Sequence, residues 1–372
     1  MSLNPKQQLV AGAKTYALTC ALPGSGKTHT SMELVKNLLE PKENKAVMVT
    51  FTRAGAGEMR ERVEKKLTAE QQKRVRVSTF HSLFISMYKA AGGYKKIIMG
   101  ADQDNIIRMA VKSVDAALLD DYMDVVQSID LLGRQLDPDM GAVPSLHAEV
   151  FRKYQNLCRK YNKTDLNALS REVVLKLQNN EMKPLNCTHM IVDEFQDSDE
   201  VQVEFLLLLG RAGVIVMTVG DDDQSIYGWR GADVRHILRF KQDWPEAKVV
   251  RLEDNYRSTE AILTVANRVI AYNADRHAKV LRAARPGGEQ SQILTYQNET
   301  LEAQETVASI QRLLQEPSIE PRHVAVLFRT NEQPRAFEAE LRQAKLPYVL
   351  IGGMSFYDRK EVRDLLAYMK LL

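Results

Sequence analysis

Cysteine is scarce. Cys20, Cys158 and Cys187 are odd in number, far apart, and without the paired spacing of a zinc site or a disulfide framework. Reduced, structural thiols are expected. No stretch approaches the ~18 uninterrupted apolar residues of a membrane helix. Residues 1–20 lack the basic start, apolar run and small-residue cleavage site of a secretory signal. The expectation is a cytoplasmic protein with no membrane partner. A large excess of one charge sign is also missing, since 51 Lys and Arg stand against 48 Asp and Glu and leave only +3. Composition therefore does not announce a nucleic-acid binder, whose domains often exceed pI ~9, and any such contact has to be local. Internal repeats and low-complexity tracts are absent.

What is present is an ordinary globular composition, 44% hydrophobic and 27% charged over 372 residues. Cores stop growing at roughly 250 residues, so two or three domains are expected. Thr15–Cys20 reads as a buried strand that runs into Ala21-Leu22-Pro23-Gly24-Ser25-Gly26-Lys27-Thr28 and then a helical pattern to about Leu39. Strands at Ala46–Phe51 and Val75–Thr79, each followed by a helix, continue the strand–helix alternation of a parallel α/β sheet. From about Phe84 to Pro184 strand signals vanish, and helix-compatible segments such as His147–Tyr161 and Leu166–Asn179 point to an inserted helical subdomain. Strands resume at Met190–Val192, Val214–Val219 and Lys248–Leu252. A further set begins near Ser258, with strands expected at Gln292–Tyr296, Val324–Phe328 and Tyr348–Ile351. Helices around Thr300–Leu314, Gln333–Ala344 and Lys360–Leu371 alternate with them, as in a second α/β domain.

The glycines of Gly24-Ser25-Gly26 let backbone N–H groups close around phosphate oxygens, and the following helix N-terminus adds positive potential. Lys27 suits the β and γ phosphates of ATP, and the Thr28 hydroxyl suits Mg²⁺. The generic pattern opens with Gly where this chain has Ala21, so a glycine turn in a linker is the bland alternative. The apolar strand Met190-Ile191-Val192 ends in Asp193 and Glu194. Asp193 suits Mg²⁺ and Glu194 suits polarising the attacking water as general base. Alone, such a pair is more often a solvated strand end than a catalytic pair; with Lys27 it completes a nucleotide site.

Asp193-Glu194-Phe195-Gln196-Asp197 is followed by Val219-Gly220-Asp221-Asp222-Asp223-Gln224-Ser225-Ile226-Tyr227-Gly228-Trp229-Arg230-Gly231-Ala232 and by Asn255-Tyr256-Arg257-Ser258-Thr259. These strings resemble motifs II, III and IV of the UvrD/Rep-like superfamily 1 DNA helicases. The likeness runs from Leu3-Asn4-Pro5-Lys6-Gln7 to Gly352-Gly353-Met354-Ser355-Phe356-Tyr357-Asp358-Arg359 and is weakest in the helical insert. It implies an α/β fold of P-loop NTPase, RecA-like type. Residues 1–83 and 185–254 would form a first ATP-binding domain, 84–184 an inserted helical subdomain, and 255–372 a partial second RecA-like domain. It further implies that Gln7 recognises the adenine edge, Tyr256 stacks on the base, Gln224 senses the γ phosphate and Arg257 stabilises charge on the transferring phosphoryl group. An arginine fork suits that last task better than a lysine point charge. Tyr256 as a core residue and Arg257 as a surface ion pair are the alternatives.

Translocation needs groups that grip single-stranded DNA whatever its sequence, which aromatic faces do because every base offers a π-face. Phe51 with Thr52 and Arg53, Thr79 with Phe80 and His81, and Tyr227 with Trp229 and Arg230 all fall at strand C-terminal ends, where α/β sheets bind ligands. They resemble the family's motifs Ia, Ib and III. Core packing is the alternative for Phe51 and Phe80, and a capping or core role for His81. The mechanism implied is closure of a cleft between two α/β domains on ATP and its reopening on hydrolysis, with single-stranded DNA and single/double-strand junctions as partners in repair or replication.

The chain departs from the family at Pro23, at His29, and at Arg53-Ala54-Gly55, which puts nucleotide affinity and DNA grip in question. Two later motifs, one coupling DNA to ATP and one giving a second phosphate-binding Arg, are not found before Leu371-Leu372. A truncated motor with impaired hydrolysis is therefore expected. The competing readings are a helicase–nuclease recombination subunit and a nucleotide-gated DNA-binding module without productive turnover.

Overall fold

The structure is a computed structural model that describes residues 2–228, 231–351 and 360–369. The expectations for Trp229, Arg230 and the 352–359 motif lie outside the described residues. The chain forms two compact units, Met1–Gln290 and Ser291–Leu372.

The first unit opens with α1 (Pro5–Ala11), β1 (Ala17–Ala21), α2 (Lys27–Leu38), β2 (Ala46–Thr50), α3 (Arg53–Lys66), α4 (Ala69–Gln72), β3 (Val75–Thr79) and α5 (Phe80–Ala90). The middle comprises β4 (Lys96–Ile97), α6 (Ala101–Val114), α7 (Tyr122–Gly133), α8 (Ser145–Lys160), β5 (Lys163–Thr164) and α9 (Leu166–Gln178). The unit closes with β6 (His189–Val192), α10 (Glu200–Arg211), β7 (Ile215–Gly220), α11 (Arg235–Leu238), α12 (Phe240–Asp243), β8 (Lys248–Leu252), β9 (Asp254–Thr259), α13 (Glu260–Ile270) and β10 (Arg282–Arg285).

Six strands form one sheet in the order β3-β2-β6-β7-β1-β8, and every pairing in it is parallel. Parallel strands covered on both faces read as continuous apolar runs, which is why Ala17–Ala21 and Ala46–Thr50 carry no polar face. Successive residues still alternate between two cores. Val47 and Val49 pack with Met190, Val192, Phe84, Phe205 and Trp244 on one face. Ala46 and Met48 pack with Ile191, Met217, Val35 and Met59 on the other. Each fully buried side chain of this kind contributes roughly 1.5–3 kcal/mol.

The helical middle has its own core of Ile106, Ile107, Val111, Val125, Ile129, Leu132, Phe151 and Tyr154, drawn from α6, α7 and α8. Helices α5 and α9 lie at its two ends in sequence, and Phe84, Leu169 and Val173 from them belong to the sheet core instead. Among the described residues, no helix is long and apolar enough to cross a membrane. The cysteines are unpaired as expected, Cys20 and Cys158 buried and Cys187 partly so.

In the second unit α14 (Glu299–Leu313), α15 (Pro334–Gln343) and α16 (Lys360–Met369) fall within about two residues of the expected helices. Ala303, Val307 and Phe337 are buried there, and Phe337 meets Phe328 edge to face at 4.9 Å. The three strands expected at Gln292–Tyr296, Val324–Phe328 and Tyr348–Ile351 do not form ladders among the described residues. Ile293, Leu327 and Ile351 are 96%, 92% and 89% exposed. Alternation specifies which face a strand would bury, but a strand also needs a neighbour to satisfy its N–H and C=O groups, and none of the described residues of this unit supplies one.

Candidate nucleotide-binding site

Strand β1 delivers the chain into a turn whose glycines are required twice over. Gly24 (φ +67°) and Gly26 (φ +76°) occupy the left-handed region. A Cβ at Gly24 would stand 2.7 Å from Asn255 Nδ2, and one at Gly26 2.8 Å from Gln7 Nε2. Those neighbours hold the loop. Gln7 Nε2 donates to Ser25 O (2.9 Å), Asn255 Nδ2 to Pro23 O (2.7 Å), and Tyr256 N to Gly24 O (2.9 Å). Gln7 is itself fixed by a capping box with Asn4 at the start of α1. Asn4 Nδ2 also donates to Tyr256 Oη at 2.9 Å. The two residues expected to frame a base thus clasp the phosphate loop from α1 and β9. Tyr256 is 40% exposed rather than core. Arg257 is exposed too, and its Cβ lies 2.8 Å from where a Gly24 Cβ would be.

Strand β6 is buried between β2 and β7 and its end is extended by the Asp193 N–H donating to Val49 O at 2.8 Å. Glu194 then takes a left-handed conformation, φ 55° and ψ 44°, which costs a non-glycine residue roughly 1–2 kcal/mol. Its carboxylate meets Lys27 across the intervening β7, with Lys27 Nζ donating to both oxygens at 2.7 Å. Gln196 Nε2 donates to Glu194 Oε2 (3.0 Å), Gln196 Oε1 accepts from Asp221 N (3.0 Å), and Asp221 Oδ2 accepts from Gln224 Nε2 (2.7 Å). One connected network therefore joins the loop lysine, the acidic strand end and Gln224.

Burial pushes the Asp193 carboxyl up to about 6; the Lys27 ammonium opposes this and Glu194 adds to it. Asp197 is likewise pushed to about 6 by burial and by Glu194. Lys27, Thr28, Thr50, Asp193, Glu194 and Gln224 line a single cleft of about 340 Å³. Ser25 Oγ is buried in the loop beside it and has no hydrogen-bond partner among the described residues. An ammonium, a hydroxyl, two carboxylates and a glycine cradle that a Cβ would fill are the donor set that a magnesium–triphosphate requires, so the residues fit that group.

The expected DNA-facing residues divide. Phe51 stacks on Tyr227, centroids 5.7 Å apart and planes 24° apart, and both rings border the same cleft. Thr52 caps α3, its Oγ1 accepting from Gly55 N at 3.0 Å, and Arg53 is exposed in the first turn. Thr79 caps α5 in the same way, accepting from Ser82 N at 3.3 Å. Phe80 is a correction: it is only 4% exposed and stacks on Phe84 at 6.1 Å. The first turn of α5 is laid on the sheet, so this ring has no face to offer a base. His81 is partly buried, and desolvation, reinforced by the nearby Arg134 guanidinium, pushes its imidazole down to about 4. It is a neutral group at physiological pH.

Gln196, Arg276 and Lys279 are among the residues of the network to which the sequence alone assigns no role. Gln196 sits inside the quoted acidic motif, which is the signal that could have found it. Arg276 and Lys279, bound to Asp221, Asp222 and Asp223, stand in an unremarkable polar stretch that gives none.

Comparison with known proteins agrees with this geometry. Residues 3–245 match the UvrD/REP helicase N-terminal domain and residues 250–372 the UvrD-like helicase C-terminal domain. The ATP-dependent DNA helicase PcrA of Staphylococcus epidermidis is 33% identical over 399 residues, covering 100% of this chain and 54% of that protein. The PcrA of Staphylococcus aureus is 33% identical over 382 residues, covering 95% and 51%. The chain spans about half the length of these curated relatives. With a RecA-like parallel sheet, a glycine loop and an acidic strand end meeting at one cleft, and both family domains matched along its length, the chain belongs to the UvrD/Rep helicase family.

Proposed function

We propose that this chain carries the ATP-hydrolysing part of a DNA helicase that translocates on single-stranded DNA and acts at single/double-strand junctions in repair or replication in the cytoplasm. The observation that carries the reading is the convergence of Lys27, Thr28, Asp193, Glu194 and Gln224 on one cleft at the C-terminal edge of the sheet. Bound Mg²⁺–ATP supplies an electrophilic γ-phosphoryl group there. Lys27 holds phosphate oxygens, Thr28 and Asp193 are the residues that hold the metal, and the N–H groups of Gly24, Ser25 and Gly26 cradle the phosphates. Glu194 takes the proton of the attacking water. Gln224 lies beside it through Asp221 and Gln196. Arg257, rooted beside Gly24, stabilises the transferring charge, while Gln7 and Tyr256 border the base. Phe51 and Tyr227 give the grip on bases, joined by Arg53, Trp229 and Arg230. The division into 1–83 with 185–254, an insert at 84–184, and 255–372 belongs to the same proposal, with α5 and α9 as the stems of the insert.

The test is ATP turnover with and without a single-stranded oligonucleotide, with Glu194→Gln alongside. Stimulation by DNA and a loss on the order of 10²–10⁴ in rate for the variant are expected. Turnover that the variant leaves unchanged would refute the assignment of Glu194 as base.

A further inference from the structure

Three consecutive carboxylates follow β7. Asp221, Asp222 and Asp223 have side chains only 1%, 0% and 10% exposed. Three like charges in one tight turn drive it apart or force it to take up protons unless countercharge is supplied. The countercharge comes from the loop between α13 and β10. Lys279 Nζ, on a side chain with 0% exposure, stands 3.1 Å from Asp221 Oδ1, 2.5 Å from Asp222 Oδ1 and 3.0 Å from Asp223 Oδ2. Arg276 adds a two-point contact to Asp223, from Nε at 2.7 Å and Nη2 at 2.6 Å. The backbone N–H of His277 donates to Asp222 Oδ2 at 2.9 Å.

We infer that Lys279, with Arg276 as its outer partner, is a positioning residue that fixes Gln224 against the nucleotide cleft and ties it to the strand bearing Tyr256 and Arg257. The inference rests on the nucleotide-site reading above. Asp221 is the pivot: one oxygen faces Lys279 at 3.1 Å and the other accepts from Gln224 Nε2 at 2.7 Å. On the far side the Lys279 carbonyl accepts from Arg276 Nη2 (3.1 Å), and the N–H of Val280 donates to Glu253 Oε1 (3.2 Å). Three residues after Lys279, β10 begins and pairs with β9 through Arg282↔Asp254 and Ala283↔Asn255. Asn255 holds the phosphate loop at Pro23 O. A shift at the Gln224 turn is thereby transmitted through one buried ammonium to the strand that clasps the loop. Cys20, Asp222 and His277 also approach within 4.8 Å of one another. With the Lys279 ammonium 2.5 Å from Asp222, the cation position in that cluster is already filled by the chain itself.

The test compares affinity for ADP with affinity for a non-hydrolysable ATP analogue, measured by titration on the full chain. Lys279→Met is expected to weaken the analogue roughly 10- to 100-fold, the value of one hydrogen bond to a charged group, while ADP affinity holds. Gln224→Ala should reproduce that loss, and the double variant should add little to either single one. Lys279→Arg should recover part of the preference, and Arg276→Met, which leaves the buried ammonium in place, should show a smaller loss in the same direction. Equal weakening of both nucleotides, or an unchanged preference, would reduce Lys279 to a fold-stabilising residue and overturn the inference. Should Lys279→Met fail to fold, Arg276→Met decides by the same criterion. A wild-type chain that binds neither nucleotide would remove the nucleotide-site reading itself and this inference with it.

Discussion

Replacing Gly24 by alanine puts a methyl group where the structure has no room for one. The left-handed conformation at φ +67° costs an alanine about 1–2 kcal/mol relative to glycine. The methyl would also lie 2.7 Å from Asn255 Nδ2 and 2.8 Å from Arg257 Cβ. Asn255 is 1% exposed and cannot swing into solvent. Its amide donates to Pro23 O at 2.7 Å and accepts from the N–H groups of Arg257 and Ser258 at 2.9 and 2.7 Å. Losing one or two of these at about 1 kcal/mol each brings the total to roughly 2–4 kcal/mol. Gly57 is the control: it lies inside α3 and a Cβ there meets none of the described residues within 4 Å, so Gly57→Ala should stabilise by about 0.5–1 kcal/mol. Urea unfolding followed by tryptophan fluorescence reads the right region, because Trp244 is buried in the first unit and 4.4 Å from Phe240. A Gly24→Ala variant within about 0.5 kcal/mol of wild type would refute the claim that β9 clasps the loop.

Alanine at Phe51 or Tyr227 should weaken single-stranded DNA binding by ~1–3 kcal/mol with little change in unfolding, whereas Phe80→Ala should cost about 3–5 kcal/mol of stability; the two outcomes exchanged in binding and urea assays would invert the assignment. The His81 imidazole is held near 4 against 6.5 in the free side chain, by burial first and Arg134 second, so the unfolded chain binds the extra proton between those values. This contribution is therefore fully present above pH 6.5 and is lost as pH falls toward 4. His81→Asn should flatten that part of the decline, and identical stability slopes for both proteins across the window would count against it. Lys27→Met removes a pair whose side chains are 18% and 34% exposed; it should cost about 1 kcal/mol or less in urea yet abolish measurable nucleotide binding, and a large stability loss would recast the pair as a structural strut.

The first unit was legible because its chemistry and its periodicity coincide. Strands β1, β2 and β6 are mostly apolar and buried along their whole length, and each ends on residues whose type has a reason to be there: a glycine turn after β1, Phe51 and Thr52 after β2, Asp193 and Glu194 after β6. The expected strand at Val75–Thr79 matches β3 residue for residue. Phe80 misled because a strand-end aromatic and a helix-start aromatic look alike in sequence. Only the packing of α5 on the sheet, which puts Phe80 in one core with Val192 and Phe205, distinguishes them. Second-unit strands misled for a different reason: alternation in Val324–Phe328 records a preferred face, not the presence of a partner. Lys279 was illegible outright, since its environment is assembled from residues more than fifty positions away.

Three ion pairs around the cleft join charges from different elements and help to fix the site. Lys27 at the start of α2 answers Glu194 after β6, Lys279 before β10 answers the turn after β7, and Lys6 on α1 answers Glu253 after β8 at 2.6 Å. For the fully buried Lys279 contacts desolvation cancels much of the attraction but removing one member is expensive, whereas the partly exposed Lys27 and Lys6 pairs are worth about 1 kcal/mol or less. Each pair therefore acts as a register mark, penalising arrangements in which its two elements fail to meet. The Lys27–Glu194 mark has a further property: it borders the cleft, so an anion entering the loop competes with Glu194 for the same ammonium. The contact that aligns the loop with the acidic strand end is thus also the one that a phosphate would exchange, leaving Glu194 with Gln196 as its remaining partner and an oxygen free to accept a proton.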